Sequence, residues 1–218
     1  MNIAIIGCGH VGLVPAVCFA AKGHKVIGVD NNLARIKILQ SGRSPIYEPG
    51  LEMMLKRNIR NRRLSFSPAS RLSEAVRFAD VIFISVGTPL GKSGGADLSQ
   101  VRRVARDVAR SQPSCEGAHL NSAYKIIVEK STVPVGTAAQ LETTIRKYAP
   151  KNAEFDIVSN PEFLQEGRAI DTTLYPDRIV VGVENKRSEQ VMRRLYASFR
   201  APILITDFNS AELIKHAA

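Results

Sequence analysis

The sequence predicts an α/β fold: a doubly wound, mostly parallel sheet with helices on both faces. Three observations predict it. Short, apolar, β-branched runs recur along the 218 residues and alternate with segments of helical spacing. The first run, Asn2 to Ile6, breaks into Gly7-Cys8-Gly9-His10-Val11-Gly12, a G-x-G-x-x-G turn that opens a helix. The second run, Lys25 to Asp30, ends in an acid about twenty residues beyond the turn.

Each glycine of the turn has a separate physical reason. Gly7 permits the sharp exit from the strand, Gly9 lets a phosphate approach the main chain, and Gly12 lets the helix pack on the strand. The first N–H groups of that helix lack intrahelical partners, and its dipole favours an anion there. Asp30 is placed to hold the hydroxyls of an adenosine ribose, and a carboxylate repels a 2′-phosphate, so the unit reads as a site for NAD rather than NADP. Arg35 lies close enough in sequence to reach adenosine or phosphate. The competing reading is a glycine turn that only packs, with Asp30 capping the next helix. It leaves unexplained why the whole unit occurs in order.

The first helix runs from about His10 to Lys22, with Pro15 removing a backbone donor inside it, and Gly23 ends it. Asn31 or Asn32 caps a helix from Leu33 to about Gln40. A loop with two prolines, Ser41 to Gly50, leads to a short helix from Leu51 to about Arg57. Leu64 to Ser67 is a strand, Ser70 to Phe78 a helix, and Asp80 to Val86 a buried strand ending in Gly87-Thr88-Pro89. A glycine-rich loop, Gly91 to Gly95, follows. Asp97-Leu-Ser-Gln100 has the spacing of a capping box for a helix to Arg110. Ser111 to Ala123 is polar and reads as a surface insertion. Tyr124 to Glu129, Phe155 to Val158, Arg178 to Val183 and Pro202 to Thr206 are strands; Thr137 to Tyr148 and Ser188 to Phe199 are helices. Asn209-Ser-Ala-Glu212 has the spacing to box a last helix carrying Lys215. In such sheets ligands lie beyond the carboxyl ends of the strands, which puts Val86 to Pro89 and Lys130 to Gly136 on the ligand side.

Composition sets limits. No apolar run is long enough to span a bilayer, and the N-terminus is a strand rather than a signal-peptide core, so the cytoplasm is the expected location. Cys8, Cys18 and Cys115 form no metal spacing, and no metal is expected. Cys8 and Cys18 read as small buried residues. The net charge is +10, and Arg102, Arg106 and Arg110 share one helical face. That face reads as solvated, because no nucleic-acid motif accompanies it.

The strand ends carry a recognisable set: GCGHVGL, GVD, SPIYEPGLE, SVGTP, EKSTVPVGT, SNPEFLQEGRAI, PDRIVVG and SAELIK. In this order, over essentially the whole chain, they resemble the amino-terminal part of the UDP-glucose/GDP-mannose dehydrogenases. PEFLQEG and PDRIVVG lean toward the UDP-glucose 6-dehydrogenase branch. The resemblance implies a Rossmann-like domain over residues 1–206, with 207–218 beginning a central linking helix. It implies oxidation of a nucleotide-sugar primary alcohol to a carboxylate with two NAD+.

Carried over by position, Gly7, Cys8, Gly9, His10, Val11, Gly12, Asp30 and Arg35 would hold NAD. Val86, Gly87, Thr88, Pro89, Ser131, Thr132 and Glu166 would line its nicotinamide end. Glu162 matches the acid/base glutamate, Thr132 a group that positions water or protons, and Lys215 a lysine that steadies an oxyanion. Glu162, Phe163, Leu164, Glu166 and Lys215 would face UDP-glucose. Glu162 and Glu166 are four apart, so a turn of helix there would put both on one side. His10 stands where the family usually has tyrosine, and Pro15 where it has a small polar residue. The family's nucleophilic cysteine lies in a later domain, and none of the three cysteines here stands in that context. The expectation is therefore the NAD-binding part of a homo-oligomeric enzyme, incomplete for catalysis alone. The alternatives are a stand-alone dinucleotide-binding or interaction module, a fragment of a GDP-mannose or other nucleotide-sugar dehydrogenase, and a basic nucleic-acid binder.

Overall fold

The computed structural model describes residues 1–91, 94–113 and 124–218. Its strands are β1 (Asn2–Ile6), β2 (Lys25–Asp30), β3 (Leu64–Pro68), β4 (Val81–Ile84), β5 (Lys125–Glu129), β6 (Phe155–Ser159), β7 (Ile179–Gly182) and β8 (Ile203–Thr206). They form one sheet in the order β3-β2-β1-β4-β5-β6-β7-β8. The helices are α1 (His10–Ala21), α2 (Leu33–Gln40), α3 (Leu51–Arg60), α4 (Leu72–Phe78), α5 (Ser99–Arg110), α6 (Thr137–Tyr148), α7 (Ala169–Leu174), α8 (Lys186–Tyr196) and α9 (Phe208–Ala217).

The pleat divides the core. Ile3 and Ile5 of β1, with Phe83, Val128 and Val158, meet α1, α2, α3 and α8 on one face. Ala4 and Ile6, with Ile82, Ile84, Ile127 and Ile157, meet α4, α5 and α6 on the other. Successive strand residues point to opposite faces. A strand covered on both sides therefore needs apolar residues without alternation, as β1 and β4 have. Each such side chain removed from water contributes about 1.5–3 kcal/mol. Arg102, Arg106 and Arg110 are exposed on α5, opposite buried Val101, Ala105 and Val108, as a solvated face requires.

Two capping expectations need correction, and two local features go beyond the sequence reading. The sheet has one antiparallel joint, a single pair between Ser159 and Gly182 where β6 meets β7. The crossover between them contains only the six-residue α7. α7 itself, AIDTTL, was not foreseen because it is short and rich in threonine. Asp97 is not the N-cap of α5: it lies one residue earlier and accepts from the Ser99 N–H, and Leu98 occupies the cap without a side-chain bond. The cap of α9 is Asp207, which accepts from the Ser210 N–H at 2.9 Å, not Asn209. Glu212 is released from that role for another.

Elsewhere the caps follow the sequence, with Asn32 accepting from the Arg35 N–H at the start of α2. Pro15 is buried within α1, which continues unbroken from His10 to Ala21. Most of the expected insertion at 111–123, part of the Gly91–Gly95 loop, and Cys115 lie outside the described residues.

Candidate functional site

The turn after β1 is built as a cradle. Gly7 has φ +98°, and a Cβ there would stand 2.5 Å from the Ser85 carbonyl oxygen. A Cβ on Gly12 would stand 1.9 Å from the Gly7 carbonyl oxygen, so α1 approaches the strand too closely for any side chain. A Cβ on Gly9 would meet nothing within 4 Å. The main chain at Gly9 thus faces open space at the start of a helix that has no side-chain cap and no acid in its first turn. Those are the conditions under which backbone N–H groups and the helix dipole receive an anion. Asp30, at the tip of β2, accepts from the Cys8 N–H at 2.8 Å, from the Asn32 N–H at 2.8 Å and from Arg35 Nη1 at 2.9 Å. The acid therefore ties the second strand tip to the turn and holds Arg35 beside it.

The next strand ends are laced to one another. Ser131 donates to the Val86 carbonyl and Thr88 to the Thr132 carbonyl, each at 2.8 Å. This joins the residues expected to line a nicotinamide. Val86 also touches the turn, since a Cβ on Gly7 would lie 3.2 Å from its side chain.

Beyond β5 and β6 the site changes character and becomes ionic. Glu162 Oε1 pairs with Lys215 Nζ at 3.0 Å, and its Oε2 accepts from the Leu164 N–H at 2.7 Å. The Phe163 ring lies under Lys215 and Arg178, at 5.5 and 5.1 Å. Residues 160–165 form no helix, so the argument that puts Glu162 and Glu166 on one side fails. The Glu162 carboxylate is turned inward and 11% exposed; that of Glu166 is 83% exposed, 3.7 Å from His10 Nδ1. The loop is held locally instead: the Asn160 side chain donates to the Val180 carbonyl, and Glu162 accepts from the N–H two residues on.

Several groups that complete this region were not singled out in the sequence. Lys130 is buried, with Nζ 3.4 Å from the Asn160 carbonyl and 3.3 Å from Asn160 Oδ1. Burial pulls its ammonium down to about 8, against the pull of Glu162 and Glu129. Tyr196, also buried, donates to Asn160 Oδ1. A cavity of about 60 Å³ lies beside these groups, bounded by Pro15, Phe19, Lys130, Asn160, Glu162 and Tyr196. It sits behind the Glu162 loop, not over the glycine turn.

On the opposite face, burial and the charge of Glu212 push the Glu129 carboxyl well above its usual range. Its Oε1 has no hydrogen-bond partner, nor does the neighbouring Ser159 hydroxyl. Glu212 accepts from the N–H groups of Gly136 and Ala138, at 2.6 and 2.7 Å, and so caps α6 from another helix. Burial nevertheless raises its carboxyl. His216 Nε2 lies 2.8 Å from the Val133 carbonyl. α9 is therefore fastened to two strand-end loops, by Glu212 and His216 to the one after β5 and by Lys215 to the one after β6.

Glu48 is the last of these groups. It stands between the two prolines of the 41–50 loop with its carboxylate buried. It accepts from His10 Nε2 at 2.7 Å, from the Gly167 N–H at 2.8 Å and from the Ala169 N–H at 3.2 Å. Burial alone would raise its carboxyl, but these donors hold it below the usual range. Only pairing across long sequence separations could have revealed Glu48 or Glu212; a single glutamate in a loop or on a helix face carries no such signal.

The contacts close into a ring: Gly7 to Val86, Val86 to Ser131, along the chain to Val133 and from it to His216 of α9, Lys215 to Glu162, along that loop to Gly167, and through Glu48 to His10. All the expected site residues lie on it or beside it. Its chemical inventory is an anion cradle, a carboxylate able to accept a proton, and two ammonium groups able to oppose negative charge. Among the described residues no cluster of side chains could hold a metal ion, and no helix is long and apolar enough to cross a membrane. Cys8 and Cys18 are buried, and burial pushes the Cys18 thiol up to about 12; the Cys8 thiol is raised by burial and by Asp30. Neither is placed to act as a thiolate.

Residues 1–200 match the family model described as UDP-glucose/GDP-mannose dehydrogenase family, NAD binding domain. The UDP-glucose 6-dehydrogenase TuaD of Bacillus subtilis is 43% identical over 217 residues, covering 100% of this chain and 45% of that protein. A UDP-glucose dehydrogenase from the archaeon Pyrobaculum islandicum superposes with TM-score 0.90 at 39% identity, over 99% of this chain and 48% of that one. GDP-mannose dehydrogenase from Pseudomonas aeruginosa, solved as a ternary complex, superposes with TM-score 0.91 at 35% identity, over 100% of this chain and 49% of that one. The chain spans about half the length of the relatives it matches.

Proposed function

The chain belongs to the UDP-glucose/GDP-mannose dehydrogenase family and carries its NAD-binding domain, and from that premise we propose that it is the NAD-binding part of a UDP-glucose 6-dehydrogenase. The overall reaction takes UDP-glucose, two NAD+ and water to UDP-glucuronate and two NADH. The observation that carries the reading is the open main chain at Gly9 on an uncapped, acid-free helix start, with Asp30 joined to the same turn.

In this reading the N–H groups at the start of α1 hold the pyrophosphate and Asp30 the adenosine ribose, with Arg35 alongside. Val86 to Pro89 with Ser131, Thr132 and Glu166 form the wall toward the nicotinamide. The cofactor, when bound, supplies the hydride acceptor. Glu162 takes the proton of the sugar hydroxyl and later draws one from water, and Thr132 orients that water. Lys215, already paired with Glu162, stabilises negative charge developing on the substrate oxygen. Phe163 and Leu164 flank the sugar nucleotide. The acyl-forming thiol is neither Cys8 nor Cys18, whose burial keeps them protonated. In this reading residues 1–206 form the dinucleotide-binding unit and 207–218 belong to a linking helix, which Asp207 caps.

Calorimetric titration tests this. The chain should bind NAD+ at micromolar to millimolar Kd and bind UDP-glucose far more weakly. Added carboxy-terminal half of a relative should then give NADH from UDP-glucose, and Glu162→Gln should abolish that production. A folded chain giving no heat with NAD+ or NADH overturns the proposal. Binding of NAD+ without NADH production by the reconstituted pair favours the stand-alone binder.

A further inference from the structure

Two segments of the ring meet at one buried carboxylate. Glu48 faces His10, the first residue of α1, and also the N–H groups of Gly167 and Ala169, which end the loop carrying Glu162 and Glu166. These partners lie 38, 119 and 121 residues from it in sequence. The other nitrogen of the same imidazole, Nδ1, faces Glu166 at 3.7 Å. His10 thus faces the Glu162–Gly167 loop directly through Nδ1, at Glu166, and indirectly through Nε2, by way of Glu48.

We propose that Glu48 and His10 are positioning residues that couple occupancy of the dinucleotide turn to the placement of the Glu162–Gly167 loop. This rests on the NAD-binding reading and goes beyond it by assigning a link between the two halves of the site.

The physical route is short. A diphosphate seated at Gly9 and the N–H of His10 brings negative charge beside the imidazole. Seating it fixes the first residue of α1, and with it the imidazole that bears on the Glu48 and Glu166 carboxylates. Charged groups facing the imidazole are Glu48 from the 41–50 loop and Glu166 from the loop before α7. Glu48 is fixed by its buried position, so a tighter His10 contact holds Gly167 and Ala169 through the same carboxylate. By linkage, anything that orders the loop tightens the dinucleotide equally.

Hydrogen exchange reads this directly, because the reporter amides are the ones Glu48 binds. In the unmodified chain, saturating NAD+ should slow exchange at Gly167 and Ala169 by at least about threefold. His10→Phe keeps the ring volume, removes both ring nitrogens and leaves the two backbone bonds to Glu48 in place. Saturated with NAD+, as verified by calorimetry, it should show no slowing at these amides. Glu48→Gln keeps an acceptor oxygen for only one of the two backbone N–H groups, and the amide that retains it should likewise show no slowing. A merely structural role would change exchange equally with and without NAD+. Equal slowing in His10→Phe overturns the coupling, as does NAD+ binding to the unmodified chain without slowing; in both cases the NAD-binding reading stands. Failure of the unmodified chain to bind NAD+ overturns both.

Discussion

The β1–α1–β2 region and the strand-end cluster around β5, β6 and α9 lie on one ring, yet they are made of different materials. The first is main chain and missing side chains: three glycines, one acid, and a helix start open to an anion. The second consists of buried or half-buried ionisable groups that hold one another, Lys130, Glu162 and Lys215 on one face and Glu129 and Glu212 on the other. The first is constrained by volume, the second by charge. Each therefore fails under a different substitution.

The largest expected effect tests the volume limit. Gly12→Ala places a Cβ 1.9 Å from a backbone oxygen that cannot rotate away. It should cost about 4 kcal/mol or more, read as loss of soluble, cooperatively unfolding protein. A milder loss would mean that α1 can slide on β1. Next, Glu212→Ala removes the acceptor of two N–H groups at the start of α6. Its cost should be about 3 kcal/mol by denaturant unfolding. It should also speed hydrogen exchange through α9, whose other fastenings are Lys215 and His216.

The third test is pH. The Glu129 carboxyl is raised well above 4.5, so the folded chain keeps a proton that the unfolded chain has lost. Its contribution is complete below about 4.5 and declines as pH rises through the folded value. Glu129→Gln should therefore gain on the unmodified chain as pH rises, by about 2–4 °C in Tm at neutral pH. Glu212, raised in the same direction, leaves part of the slope in place. Lys130 has the opposite sign. Its pKa of about 8 lies below the ordinary 10.5, so between those values the unfolded chain holds more protons and stability rises with pH. Lys130→Met should remove that rise. The smallest stability effect belongs to Gly9→Ala, whose Cβ meets open space. Unfolding should shift by no more than about 0.5 kcal/mol, while NAD+ affinity falls at least about tenfold, or 1.4 kcal/mol. A large stability loss here, or unchanged affinity, would erase the contrast between the two regions.

The same contrast explains what was legible in the sequence. The glycine turn, Asp30 and the apolar strands depend on neighbours within one or two elements, so spacing displays them. Ser159 opposite Gly182 reverses the sheet at one joint, a tertiary pairing that local pattern does not encode. Glu212 has the spacing of a local capping box, but its carboxylate goes to Gly136 and Ala138, 76 and 74 residues away. Glu48 is likewise an ordinary loop acid until the chain brings Gly167 and His10 to it. Glu162 and Lys215 stood out only through family resemblance, because a carboxylate and an ammonium 53 residues apart give no signal of pairing.

That separation of 53 residues also sets a schedule for a growing polypeptide. At about 5–20 residues per second, Lys215 is synthesised roughly 3–10 s after Glu162. The nucleotide cradle is translated long before either. Nascent chains arrested before α9 should accordingly offer a formed cradle beside an unpaired carboxylate, with β5 and β6 still waiting for the helix that clamps their tips.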